Sequence, residues 1–241
     1  MTTLEICVDT PAGLSAAIAG GADRIELCSA LSVGGLTPSP GLMALAANAP
    51  IPVHAMIRPR AGDFVFSAPE IAAMEADIDA ARNAGLPGVV LGATRPDGAL
   101  DTQTLARLIA RAKPLDLTLH RAFDLAPDFP RAVEDAIALG FNRILTSGGA
   151  PRAIDGLENL KRIIAHAAGR IAIMPGSGIT PETAASFLTL GITDLHASAS
   201  RPIDTPTGRA ADLGYVTPDM KQTDPALVAT LKAAMTAQTR Q

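Results

Sequence analysis

Tryptophan is absent from the 241 residues, tyrosine occurs once, and aromatic side chains amount to 3%. A chain this poor in large rings must build its interior from aliphatic side chains. Hydrophobic residues reach 48%, which excludes a disordered or fibrous polypeptide. Cysteine is scarce too: Cys7 and Cys28 alone do not make the framework of a disulfide scaffold, and reduced thiols are expected. No excess of basic charge exists, with 20 Lys and Arg against 24 Asp and Glu, and the basic residues are scattered. Nothing here provides an electrostatic footprint for a nucleic-acid backbone or an anionic membrane. No run approaches the roughly 18–20 apolar residues of a membrane span, and the first strand-like run, LEICV, follows neither a basic start nor a small-residue cleavage site. The expectation is a cytoplasmic protein with no nucleic-acid or membrane partner, whose ligand is a metal ion or a small molecule.

What the chain does contain is alternation. Short β-type runs at Leu4–Val8, Arg24–Cys28, Pro52–Ile57, Gly88–Leu91, Leu115–His120, Arg143–Thr146, Arg170–Met174 and Asp194–His196 are each followed by a longer Ala-rich helical stretch. Glycines close several helices before the next strand, as in Ala84-Gly85-Leu86-Pro87 and Leu139-Gly140-Phe141-Asn142. Helix starts are marked at Ser67, Asp101 and Thr180-Pro181-Glu182. Eight right-handed βα units predict one α/β domain, a TIM (β/α)8 barrel spanning residues 1–241. Residues 202–241 form its tail: a polar segment from Arg201 to Asp224, read as a long loop at the barrel mouth, and a helix from Pro225.

Strand side chains alternate between the helix-facing and barrel-facing sides. The apolar members Leu4, Ile6, Val8, Ile25, Leu27, Val53, Ala55, Ile57, Leu115, Leu117, Leu119 and Leu195 belong outside. That phase turns Glu5, Cys7, Asp9, Arg24, Glu26, Cys28, His54, Met56, Arg58, Asp116, Thr118, His120 and His196 inward. An ordinary barrel interior is layered with branched apolar residues. Thiols, imidazoles, carboxylates and an arginine in that position must be paired, hydrated or bound to something, because buried unpaired charge is costly. The C-terminal mouth, where Cys7, Cys28, His54, Met56, Arg58, His120 and His196 are expected to converge, is the candidate site.

The blocks LEICVD, GGADRIELCSALSVGGLTPS, IPVHAMIRPRAGDFVFS, LHRAFD, NRILTSGGAP, IMPGSGIT and LHASAS resemble, in this order, those of the CutC family, over about residues 4–201. The chain departs from many relatives at Ser177, where they carry Gly. The resemblance implies a cytoplasmic TIM barrel, a homo-oligomer with a dimer as first guess, and a role in copper homeostasis. It further implies Cu(I) binding through two cysteines on the first two strands, here Cys7 and Cys28. Soft thiolates suit that ion, and Met56 and the imidazoles could flank it; equally, a pair of isolated cysteines can be no more than small buried hydrophobes.

The inward set supports an enzyme as alternative, acting on a small anionic metabolite through acid–base candidates among Glu5, Glu26, His54, His120 and His196 with Arg58 as anion partner. A self-satisfied structural network is the competing account of the same residues. Gly176, Ser177 and Gly178, before the helix start at Thr180 and near Ser147-Gly148-Gly149 and Ser198, would suit a phosphate at the seventh loop. Arg60, Asp63 and Asp124, just past strand ends, either meet a ligand or cap loops. Asp23 and Asp194 precede strands at the opposite rim and are expected to be structural, and His166 to be a surface residue. No HExxH, CxxC, complete GxGxxG after a strand or Ser–His–Asp order occurs, so no organic cofactor is expected.

Overall fold

The computed structural model describes residues 2–204, 206–216 and 220–238. Eight parallel strands, β1 (Thr3–Val8), β2 (Arg24–Leu27), β3 (Val53–Met56), β4 (Gly88–Leu91), β5 (Asp116–Leu119), β6 (Arg143–Thr146), β7 (Ala172–Pro175) and β8 (Asp194–Ala197), form one sheet. Its hydrogen-bonded order runs from β7 down to β1 and on to β8, and β7 and β8 lie side by side so that the barrel is nearly closed. Seven helices fill the connections: α1 (Pro11–Ala19), α2 (Pro40–Ala46), α3 (Ala68–Asn83), α4 (Thr102–Ala112), α5 (Phe129–Leu139), α6 (Leu157–Ala167) and α7 (Pro181–Leu188).

Local chemistry explains where these helices begin and end. Thr10, Asp101 and Asp128 each accept a backbone N–H from the third residue of their helix, satisfying a donor that has no partner within the helix. At α3 the Glu70 carboxylate reaches back to the Ser67 N–H at 2.7 Å. Gly140 ends α5 at φ 86°, a left-handed conformation that a side chain would disfavour. Helices and strands are then joined by one apolar shell. Leu4, Ile6, Val8, Ile25, Leu27, Val53, Ala55, Ile57, Leu117, Leu119 and Leu195 are all buried in it.

Two expectations change. The seventh strand starts at Ala172 rather than Arg170, because Arg170 leaves the sheet to pair with Glu134 on the surface. The segment after β8 is more than a loop: β9 (Ser200–Pro202) and β10 (Lys221–Thr223) pair as an antiparallel hairpin, with the short α8 (Arg209–Asp212) between them. The Asp224 N–H donates to the Ala199 carbonyl, and α9 (Pro225–Gln238) follows as the eighth outer helix, packed on α7 and α1. Among the described residues no helix is long and apolar enough to cross a membrane.

Candidate functional site

The barrel interior is polar from bottom to top, but its lower half is internally paired. Arg24 donates through Nε to Glu5 at 2.5 Å and through Nη2 to Asp194 at 2.7 Å, and the same Nη2 touches the Met174 sulfur at 3.3 Å. Arg143 donates to Asp116 and, at 2.9 Å, to the Thr118 hydroxyl. Asp194 thus joins the floor of the interior as a structural counter-ion. Arg143 and Met174 escaped the sequence reading because the alternation was not carried into β6 and β7. His54 belongs to this lower half as well: its strand neighbour is Gly88, the first residue of β4, and its Nδ1 lies 3.9 Å from Asp116. A Cβ on Gly88 would stand 2.5 Å from the imidazole, so the bare backbone makes room for the ring. Burial pushes His54 down to about 4, keeping it neutral.

One level higher, two carboxylates flank His196. Its Nδ1 bonds Glu5 at 2.8 Å and its Nε2 faces Glu26 at 3.8 Å. Burial disfavours charge on the imidazole, but Glu26, Cys7 and Glu5 together outweigh it and raise His196 well above its ordinary value. Burial would likewise raise Glu5, yet the His196 hydrogen bond and the Arg24 guanidinium hold it well below the usual carboxylate range. Glu26 goes the other way: desolvation dominates, and the neighbouring negative Glu5 adds to the rise.

Above these lie the thiols. Cys7, Glu26 and His196 each place a ligand-capable atom within 4.8 Å of the others, and all three are buried. Cys28 is fully buried among Met56, Val90 and Leu31, and its thiol donates to Glu26 at 3.5 Å. Both cysteines are free, and burial pushes the Cys28 thiol up. The sequence reading paired Cys7 with Cys28; the geometry brings Glu26 and His196 to Cys7 and reaches Cys28 through the same carboxylate. Asp9, at the end of β1, accepts the Leu31 N–H and so braces the loop after β2.

The rim is assembled by Arg58. Its two Nη groups donate to the carbonyls of Val33, Gly35 and Gly62 at 2.9–3.0 Å, tying the loops after β2 and β3 together. The guanidinium stacks over Phe64 at 4.9 Å, and Phe64 in turn contacts the His120 ring at 4.8 Å. His120 accepts the Ala122 N–H on Nδ1, and burial holds it down at about 3. The other rim candidates cap loops. Arg60 binds Glu70, Asp63 and three carbonyls. Asp124 accepts from Thr146, from the Ser147 hydroxyl, from the Ser147 and Gly149 amides, and from Arg121. At the seventh loop, the Gly176 amide donates to Thr146, Ser177 sits at φ 83° with its hydroxyl on the Pro151 carbonyl, and Gly178 is exposed. His166 lies on the surface against Glu134.

A polar barrel interior with this order of strands and side chains can be set beside known proteins. The sequence profile of the CutC family matches residues 2–201. This chain belongs to the CutC family. A family protein CutC from Sinorhizobium medicae is 56% identical over 235 residues, covering 97% of this chain and 96% of that one. The crystal structure of a CutC protein from Streptococcus agalactiae, to which a copper-homeostasis role has been attributed, superposes with a TM-score of 0.78. It shares 33% identity with this CutC-family chain and covers 82% of it and 99% of its own length. An aldolase barrel, QR15, superposes at a TM-score of 0.62 with 17% identity, a likeness of fold alone. The family match ends within β9, so the rest of the hairpin and α9 lie outside it.

Proposed function

We propose that this CutC-type protein takes Cu(I) as its cargo in the upper barrel interior, with Cys7 and Cys28 as thiolate ligands and His196 beside them. The carrying observation is the clustering of Cys7, Glu26 and His196 donors within 4.8 Å, with the Cys28 thiol hydrogen-bonded to the same Glu26. Sulfur and imidazole donors in a buried site select soft Cu(I) over the hard divalent ions. The Glu5 carboxylate holds His196 through Nδ1 and leaves Nε2 turned toward Glu26, the orientation by which a carboxylate behind an imidazole presents the ring to a metal. The raised Cys28 thiol and the raised His196 must give up protons when the ion enters, so binding tightens as pH rises.

Competition against a chromophoric Cu(I) chelator tests this reading. Wild-type protein should withdraw Cu(I) from the chelator, and the Cys7→Ser, Cys28→Ser double variant should not. Equal affinity in the two overturns it.

One observation favours a second reading. Glu5 and Glu26 flank a single imidazole with their proton affinities driven apart, the division that general acid–base chemistry on a small metabolite requires. Under that reading Glu26→Gln abolishes turnover while leaving Cu(I) affinity intact.

A further inference from the structure

Arg58 is 5% exposed and carries a full positive charge, yet every hydrogen bond it makes goes to a neutral carbonyl. The acids nearest along the chain, Asp63 and Glu70, are taken by Arg60. Among the described residues no carboxylate stands within ion-pair distance of Arg58, and its Nε–H has no acceptor. The thiol of Cys28 is nearby, but its hydrogen bond goes to Glu26 and not to the guanidinium. A buried cation without a counter-charge is costly to maintain, and tying loops through carbonyls does not require one.

A second unmet donor lies beside it. His120 is 3% exposed, and because its Nδ1 accepts the Ala122 N–H, the neutral ring carries its proton on Nε2, which has no partner. A Cβ on Gly92 would stand 2.5 Å from His120 Cε1, so the ring lies against the bare backbone just past the end of β4. Phe64 touches both side chains. Its chain neighbours Asp63 and Val65 line a groove of about 350 Å³ with Thr94, Arg95 and Leu125.

We infer that Arg58 Nε–H and His120 Nε2–H form an oxyanion site at the barrel mouth, which takes a carboxylate or phosphate group of a small metabolite. Arg58 supplies the charge and His120 the orienting hydrogen bond. The site gives the second reading above its ligand class and is independent of copper.

The test uses full-length, metal-free protein with 15N-labelled arginine, titrated separately with inorganic phosphate and with malonate. At least one of them should move the Arg58 Nε–H resonance saturably at millimolar concentration, and which one responds distinguishes the phosphate from the carboxylate source. His120→Phe, which keeps a ring but removes the donor, should weaken that binding about tenfold or more. Ser177→Ala, at the seventh loop, should leave it unchanged. The inference is overturned by three outcomes: an Arg58 resonance unmoved by both anions, a saturable shift equally strong in His120→Phe, or a response lost in Ser177→Ala. Chelator competition on His120→Phe should show unchanged Cu(I) affinity, so failure here is separable from failure of either reading above.

Discussion

The lower and upper halves of the barrel interior are built from similar residue types and end in opposite states. Below, Arg24, Glu5, Asp194, Arg143, Asp116 and Thr118 answer one another, and the two atoms there without a hydrogen bond, Arg143 Nε and His54 Nδ1, each have a carboxylate within 4 Å. Above, Glu26 Oε1, Arg58 Nε and His120 Nε2 are buried without partners, beside two free thiols. The difference teaches that polarity alone does not mark a site. The paired half is a scaffold that happens to be charged, and this asymmetry along the barrel axis is the ground for proposing the binding sites in the other half.

The sharpest way to break the contrast is to unpair the floor. Arg24→Ala strands Glu5 and Asp194 in the interior and should lower stability by about 3–5 kcal/mol in urea denaturation. A loss below about 1 kcal/mol would mean that the floor network is not holding the barrel together.

Acid should reveal the next largest effect. His54 and His120 are held neutral at about 4 and about 3, whereas the unfolded chain protonates them near 6.5. The unfolded state therefore binds more protons, so their contribution is complete above pH 6.5 and is lost as pH falls toward the folded values. His196 has the opposite sign: its contribution is present below pH 6.5 and disappears as pH rises through its elevated folded value. For His54 alone the loss amounts to about 3 kcal/mol at full development. His54→Gln should flatten the dependence of the urea midpoint between pH 7 and 4; an unaltered slope would count against the burial argument.

A smaller effect is expected where backbone makes room for a ring. Gly92→Ala places a methyl 2.5 Å from His120 and should cost about 1–3 kcal/mol of stability. If the ring is displaced, the oxyanion response should weaken too. Least affected should be the stability of Cys7→Ser, within about 1 kcal/mol in thermal melts, because the hydroxyl retains hydrogen-bonding capacity near Glu26 and His196. Its Cu(I) affinity should nevertheless collapse, which is the contrast in its cleanest form.

The phase of β1, β2, β3, β5 and β8 was legible because strict apolar alternation admits only one assignment of faces. Glu5, Cys7, Glu26, Cys28, Met56, His120 and His196 accordingly lie inside the barrel, where the pattern put them. Height along the axis was not legible, since it depends on the stagger between strands. His54 therefore sits in the lower half rather than with the thiols. Nor could spacing foretell that Arg58, a natural anion partner on sequence grounds, would commit both Nη groups to carbonyls of two loops. The hairpin after β8 was missed because its strands have three residues each, too few to set up a period.

The Asp124 carboxylate, cradled by hydroxyls, amides and Arg121 after β6, acts as a tethered counter-ion. Phosphate dissolved around the protein meets those amides already engaged by a group that cannot diffuse away. That corner of the rim is already satisfied by the chain's own carboxylate, whereas the donors of Arg58 and His120, the latter at the start of the same turn, have no such built-in occupant.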